Sequence, residues 1–556
     1  SRCEDITDLG RRDTFPFEER TFFNHCIEAI KSNDLDAAKS VLQRSKNSVW
    51  IGRGESQSQW NIIETAMELV ERCNDCEREV SKHSTSLEKV VRFYVNQFYK
   101  VDQSHREFEH AVSDFFDLSN ALHPVIEFAR GSYTKVANDL HRIFVKHVES
   151  DGWPVDGMLV NSQVFDSHVG NYLKESGKKV AYFMIDALRY ELGAELEREL
   201  GNDGGIELKA SLATIPTVTP IGMASLLPEA ETKLNVQEAE EGFAVFMGDK
   251  PMKTVSNRMK WIEGKYGDRF KEIKLEQLLS SNFKKHLASE TELLVVRSNS
   301  VDSRMETEYQ SGLPGIKRDM QNIRAAIHRL RESGFEQAII VTDHGFCINA
   351  APDIGDTCQQ PPGEWTVLHD RCLLGKGSKD SHNWVCDTKG LGLASDYAQV
   401  GGPKSFACYS KNNQYFHGGA SLQEAIVPVL LIELAQKNEK DTNVTYHIRY
   451  KKNSVNITTR IPVFELEAKA GDLFDHPESC EVLVQAIDKK GKVVGEPKPG
   501  SVVNAATGMV SLQIGAVVPV PVKMAEDFEG EFTLKIFDPA TRAQLAELAL
   551  QTDYMV

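Results

Sequence analysis

Asp343 and His344 end the run QAIIVTDHG (337–345) with a carboxylate and an imidazole on consecutive residues, both good ligands for a divalent cation. Other stretches offer donors of the same kind beside apolar runs: Asp186 after KKVAYFMI, Asp302 and Glu306 in and after ELLVVRSNSVD, and His417 ahead of AIVPVLLIEL. Thr217 and Thr219, in LATIPTVTPIGM, add hydroxyls just before a Pro-led helix start. There the helix N–H groups and its positive end can stabilise an attacked phosphoryl anion. Four carboxylates, two imidazoles and one threonine hydroxyl suffice for two divalent ions and a nucleophile. Two such ions, roughly 3.5–4 Å apart, clamp the attacking and leaving oxygens of phosphoryl transfer and lower the pKa of a bound hydroxyl.

Positioning these groups requires a sheet. The short apolar runs before Asp186, Asp302 and Asp343 lack a helical period and read as buried parallel strands. In open α/β sheets, ligands sit outside the carboxyl ends of such strands, and Gly345 permits a sharp exit there. Asp302 and Glu306 are four apart, on one face of a helix that continues the turn. IKRDMQNIRAAIHRLRE (316–332) reads as an amphipathic helix feeding the Asp343 strand. Each residue also has a plainer reading. Asp186 suits an N-cap, either threonine a cap, the Asp302–Glu306 pair (with Arg304 and Glu308 among them) a solvated patch, and His417 a structural histidine. His382 is a weaker candidate of the same kind. Convergence on one sheet edge is what favours the ligand reading.

Length and composition bound the rest. A chain of 556 residues exceeds one ordinary core, so about three domains are expected. Residues 1–155 read as helical: Phe22, Phe23, Cys26, Ile27 and Ile30 recur at helical spacing, as do Ile62, Ile63, Ala66, Leu69 and Val70. Asp34 is the expected N-cap of the helix after it, and Thr85 with Glu88 has capping-box spacing. Phe93, Phe98, Phe108, Phe115 and Phe116 are expected to fill the interhelical core. A helical bundle is the simple reading, and a docking module or lid the functional one. Residues 175–437 form the expected catalytic α/β domain. Residues 443–556 alternate with period two, in VTYHIRY, CEVLVQAID and EFTLKIFD among others, and predict a small all-β, sandwich-like domain.

A net charge of −17 argues against a broad basic face for nucleic acid, though not against a local basic channel. Ten irregularly spaced cysteines imply a reducing cytoplasm, and the lone Cys73–Cys76 pair lacks the partners of a zinc knuckle. No run suits a membrane span or signal peptide. The chain opens on Ser1-Arg2-Cys3 without an initiator Met, as expected of a fragment. The region 346–414 is too long for a simple connector and suits a functional loop or specificity insert.

The order Asp, Thr, Asp, Asp-His, His resembles the alkaline phosphatase superfamily. Within it, MIDALRYE, VTDHGF, RCLLGKG and HGGASLQEAIVP look like the PglZ domain of BREX phage-defence systems, over roughly residues 175–435. The resemblance implies a mixed sheet between helices and two bound divalent ions, zinc foremost, with manganese or magnesium as alternatives. It implies Asp186, Thr219, Asp343 and His344 around one ion, and Asp302, His417 and Glu306 around the other. Many superfamily members have His where Glu306 stands, and a harder donor set favours Mn²⁺ or Mg²⁺. The resemblance implies Thr219 rather than Thr217 as nucleophile, because the threonine of related phosphodiesterases precedes a Pro-containing helix start in the same way, as in PTVTP here. Arg371 and Lys376 are candidates to hold phosphate oxygens, or else to pair with surface acids. The implied activity is that of a phosphodiesterase, with DNA as substrate and other BREX proteins, such as the methyltransferase, as partners. The alternatives are a metal-stabilised scaffold for those partners and a phosphomonoesterase or phosphomutase.

Overall fold

The computed structural model describes residues 16–45, 50, 55–113, 115, 121–175, 177–201, 205–240, 242–280, 283, 287–307, 309–331, 333–350, 357–409, 414–434, 444–451, 454–470, 478–498, 500, 502–504, 508–525, 527–539 and 544–554. Ser1–Cys3, Phe116 and Glu308, singled out above, lie outside them.

These residues fall into two compact units. The larger comprises the described parts of Ser1–Lys274, Lys284–Ile316 and Phe335–Glu433. It begins with helices Pro16–Lys31, Leu35–Ser45, Glu55–His83, Leu87–Phe93, Tyr99–Ser113 and His123–Asp151. Their apolar faces bury Phe22, Phe23, Ile63, Phe93 and Phe108, as the helical spacing predicts, and Phe98, on the π-helical turn Tyr94–Phe98, and Phe115, just after Ser113, are buried with them. Asp34 caps the second helix, its Oδ1 accepting from the Ala37 N–H at 3.1 Å. The Leu87 helix is capped one residue later than expected. Ser86, with extended backbone, accepts from the Lys89 N–H at 3.3 Å, and Thr85 does not fill that place. Cys73 and Cys76 are buried within the long third helix, and burial pushes the Cys76 thiol up to about 12.

A mixed six-stranded sheet follows, in the order Ile206–Leu212, Ile426–Glu433, Gln337–Thr342, Val180–Ile185, Leu293–Ser298, Phe270–Lys274. The last four run parallel, and Ile426–Glu433 is antiparallel to both its neighbours. Val180–Ile185 is buried along its whole length, which is why it reads as an unbroken apolar run rather than an alternating one. Its register sets up the site. Ile185 pairs with Thr342 on one side and Ser298 on the other, so Asp186, Asp343 and the turn into Asp302 leave the sheet side by side. Region 346–414, read as a long polar stretch, contains a four-stranded antiparallel sheet in the order Gly363–His369, Cys372–Gly377, Gln399–Pro403, Asn383–Asp387. Its strands are short and rich in glycine and polar residues, so their period-two signal is weak.

The smaller unit groups Leu275–Phe283, Lys317–Gly334 and the described residues of Leu434–Val556. Among the described residues its nine strands enclose a core including Phe464, Leu466, Val484 and Leu534, with alternate side chains buried in strands such as Val517–Met524. The Arg318 guanidinium bonds Glu496 at 3.0 Å within this unit. Among the described residues, no helix is long and apolar enough to cross a membrane.

Candidate metal centre

Asp186 follows the fully buried Val180–Ile185 strand and is itself 7% exposed. The next residue, Ala187, has a left-handed φ of 58°. That turn aims the Ala187 N–H at Asp343 Oδ1, 3.2 Å away, and the Leu188 N–H at Thr342 Oγ1, 2.9 Å away. Asp343 Oδ1 also accepts from the His344 N–H at 3.0 Å. Oδ2 of Asp343 and Oδ1 of Asp186 are left buried with no hydrogen-bond partner among the described residues. Burial, and then the neighbouring carboxylates Asp343 and Asp302, push Asp186 well above the usual carboxylate range. Burial also raises Asp343 above the usual carboxylate range. Two buried orphan oxygens on adjacent strands are costly unless a cation joins them.

Imidazole and hydroxyl donors complete this group. His344 Nδ1 lies 2.9 Å from the Gly345 carbonyl, so the proton it gives there leaves Nε2 bare. Nε2 stands 3.3 Å from Asp343 Oδ2, 3.9 Å from Asp186 Oδ1 and 3.1 Å from Thr219 Oγ1. Two donors about 2.1 Å from a tetrahedral ion lie about 3.4 Å apart. The spacings therefore fit one cation held by Asp186, Asp343, His344 and Thr219. Thr219 opens the helix Thr219–Ser225, and Gly222 on its next turn brings it against the Asp343 strand. A Cβ at Gly222 would come within 2.7 Å of Asp343 Cβ. Thr217 is different. It is fully buried and donates to the Gly419 carbonyl at 2.8 Å.

A second group lies alongside, the His344 and His417 rings stacking at 4.1 Å. His417 Nδ1 lies 3.1 Å from the Thr217 carbonyl, leaving Nε2 3.6 Å from Asp302 Oδ1 and 4.0 Å from Glu306 Oε1. Asp302 and Glu306 both lie on helix Ser300–Thr307, and Tyr415 donates its hydroxyl to Asp302 at 2.7 Å. Burial, and then His344 and His369, push His417 well below the usual imidazole range, so it stays neutral and able to ligate. Burial and then Asp302 raise Glu306, which is nearly half exposed. Glu306, His369 and His417 place one ligand atom each within 4.8 Å of one another.

Seven of the residues singled out from the sequence thus meet at one edge: Asp186, Thr219, Asp302, Glu306, Asp343, His344 and His417. Arg371 does not join them, and its expected part in holding phosphate is corrected. Its guanidinium is fully buried, with Nε 3.5 Å from Glu424 Oε2 and another nitrogen donating to the Ala407 carbonyl at 3.1 Å. It knits the insert to the loop around Gly419 and has no solvent-facing surface for a substrate. Lys376 is exposed on strand Cys372–Gly377, and His382 is exposed in the turn before Asn383.

Several supporting residues were given no role from the sequence. Asn161 is buried and donates to the Thr342 carbonyl at 2.9 Å, fixing the strand end before Asp343. Arg189 is fully buried under the Asp343-His344 loop, 5.2 Å below the Phe346 ring. Its guanidinium lies 3.2 Å from Asp102 of the helical region, which also accepts from Tyr94, Tyr133 and Gln423. Arg106 bonds Glu191 at 2.9 Å and Glu195 at 2.6 Å. Arg258, 9% exposed, is a cation near Asp343 and Asp186, donating to the Met252 carbonyl at 3.2 Å.

Residues 164–432 match the family described as BREX system PglZ alkaline phosphatase-like domain. The chain is 23% identical over 435 residues to the alkaline phosphatase-like protein BrxZ of Escherichia coli O9:H4 (strain HS), covering 74% of this chain and 49% of that protein. It is 23% identical over 480 residues to the alkaline phosphatase-like protein PglZ of Bacillus cereus (strain H3081.97), covering 83% of this chain and 54% of that one. The chain thus spans about half the length of these curated relatives. The resemblance drawn from MIDALRYE, VTDHGF and HGGASLQEAIVP is borne out.

Proposed function

We propose, for a chain whose residues 164–432 are a BREX system PglZ alkaline phosphatase-like domain, that it is a metal-dependent phosphodiesterase acting on DNA in BREX defence. One observation carries this reading. Two groups of donor atoms, Asp186, Asp343 and His344 in one and Glu306, His369 and His417 in the other, each lie within 4.8 Å of one another and are joined by the stacked His344 and His417 rings, with Asp302 Oδ1 3.6 Å from His417 Nε2 and the Thr219 hydroxyl 3.1 Å from His344 Nε2. Asp186, Asp343, His344 and Thr219 would hold one ion, and Asp302, Glu306 and His417 the other. Zinc suits the imidazole-bearing sets, while four carboxylates also suit manganese or magnesium. When bound, the ions supply charge neutralisation for the phosphoryl oxygens and activation of the hydroxyl.

The chain's own residues do the rest. Thr219 Oγ1 attacks phosphorus, forming a Thr–O–P bond as the bond to the leaving oxygen breaks. The hydroxyl proton passes to solvent or to the departing alkoxide. Water then cleaves the Thr–O–P bond in a second displacement, returning the threonine. Asp343, anchored by the Ala187 and His344 amides, holds the nucleophile's surroundings rigid. Arg258 is a buried cation whose charge opposes the upward shift of the Asp186 carboxyl.

Hydrolysis of bis-p-nitrophenyl phosphate, p-nitrophenyl phosphate and plasmid DNA, with Zn²⁺, Mn²⁺ or Mg²⁺ and after chelation, tests the reading. Metal-dependent cleavage of diester and DNA supports it. Metal-loaded protein that cleaves neither leaves the scaffold alternative, which the net charge of −17 favours over autonomous DNA binding. Preference for the monoester points to a phosphomonoesterase or phosphomutase, the reading favoured by the four-stranded insert between the ligand blocks.

A further inference from the structure

The second donor set contains a histidine that no motif announced. His369 ends strand Gly363–His369 of the insert, outside the six-stranded core sheet. Three features of the chain aim it at the site. The hairpin pairing Gly363–His369 with Cys372–Gly377 shifts register between Val367 and His369, a bulge of the kind that re-aims a side chain. Gly418, with φ 107°, leaves the space the ring needs, because a Cβ there would come within 2.9 Å of His369 Cβ. Finally, His369 Nδ1 lies 3.1 Å from the His417 carbonyl. A proton given to that carbonyl leaves Nε2 bare, 3.9 Å from Glu306 Oε1, while the ring stacks on His417 at 4.2 Å. This is the arrangement by which His344 and His417 are themselves oriented, each through an Nδ1 contact to a backbone carbonyl.

We infer that His369 is a ligand of the second ion, so that this site is built from Asp302, Glu306 and His417 of the core domain plus an imidazole delivered by the insert. The inference rests on the two-metal reading above. It explains how a carboxylate can stand at position 306 without making the site all-oxygen apart from His417. The imidazole comes from another segment, and the site regains a second nitrogen donor, which suits zinc. It also gives the insert a role: the hairpin must be docked for the second ion to bind tightly.

The test is metal content, read separately from turnover. Wild type, His369→Phe and His369→Asp are equilibrated at buffered free zinc, and zinc per chain is measured. The same three are examined with Co²⁺, whose visible absorption reports coordination number and donor type. Phenylalanine keeps the ring stack on His417 but supplies no donor; aspartate supplies a donor without the ring. The expected result is two ions per chain in the wild type, one in His369→Phe with the second weakened more than about 100-fold, beyond the range for residues that only orient a ligand, and two restored in His369→Asp. A His369→Phe protein that binds both ions as tightly as wild type, with an unchanged Co²⁺ spectrum, overturns the assignment. A wild type that binds fewer than two ions overturns the two-metal reading itself, and is told apart by the wild-type measurement alone.

Discussion

The hydroxyl oxygen of Thr219 stands 3.1 Å from Nε2 of His344, whereas the hydroxyl of Thr217 is turned inward and donates to the carbonyl of Gly419. Two threonines in the same short turn therefore have different chemistry. Replacing Thr219 by alanine should lower metal-dependent diester turnover by at least about 10³-fold, as loss of a nucleophile does, with little change in melting temperature of the chelated protein. Thr217→Val should do the reverse. It strips a buried carbonyl of its donor, costing about 1–3 kcal/mol of stability, and leaves a nucleophile in place. Melting curves and turnover on the pair separate the two roles.

Gly222 lets the helix opened by Thr219 approach the Asp343 strand. An added Cβ would meet Asp343 Cβ at 2.7 Å and its carbonyl oxygen at 3.0 Å, and the latter, being backbone, cannot swing away. Gly222→Ala should cost about 1–3 kcal/mol through overpacking. It should also weaken the ion held by Asp343 and His344 more than the ion held by His417. Competition of the variant with a chromogenic chelator measures this directly, and unchanged affinity at the first site would count against the packing account.

Metal removal should reverse the pH dependence of stability. Without a cation, Asp186 and Asp343 hold their protons above the usual carboxylate range in the folded chain, chiefly through burial. At low pH both carboxyls are protonated in folded and unfolded chains, and their contribution is fully present. As pH rises above about 4, the unfolded chain releases its protons first. Stability is then lost until pH passes the raised folded values. Cation binding demands ionised ligands, so the loaded protein gains stability over the same range. Scanning calorimetry between about pH 4 and pH 7 should show a falling melting temperature with chelator and a rising one with zinc. Parallel slopes would sink this account.

Asp102 and Arg189, both fully buried, tie the helical region to the underside of the Asp343-His344 loop. Removing one partner strands the other charge. Asp102→Ala should destabilise the protein by about 3–5 kcal/mol, and Asp102→Asn by less, because the amide still accepts from tyrosine hydroxyls. If the helical region served only as a separate docking module, zinc affinity would not follow these losses. Isothermal titration with zinc on the asparagine variant should show weaker binding.

Much of the site was legible because buried strands announce themselves. VAYFMI and QAIIVT have no polar interruptions, and a ligand directly after such a run can point only off the sheet edge. The Asp302–Glu306 spacing needed only helical geometry. Arg371 was misread for a physical reason: sequence shows a cation near apolar residues but not that Glu424 lies 3.5 Å from it in the core. His369 was invisible because its place depends on a bulge and on the absence of a side chain at Gly418, neither of which has a sequence period. Asp102 and Arg189 meet although they stand 87 positions apart in sequence, and no local pattern links them.

In the proposed reaction Thr219 forms the bond to phosphorus. Turnover of bis-p-nitrophenyl phosphate by the zinc-loaded protein should be quenched in acid and the chain digested for mass spectrometry. A p-nitrophenyl phosphoryl group on the peptide containing Thr219, present in wild type and missing from Thr219→Ala, is the predicted result. Turnover that leaves Thr219 unmodified, and persists undiminished in Thr219→Ala, would contradict it.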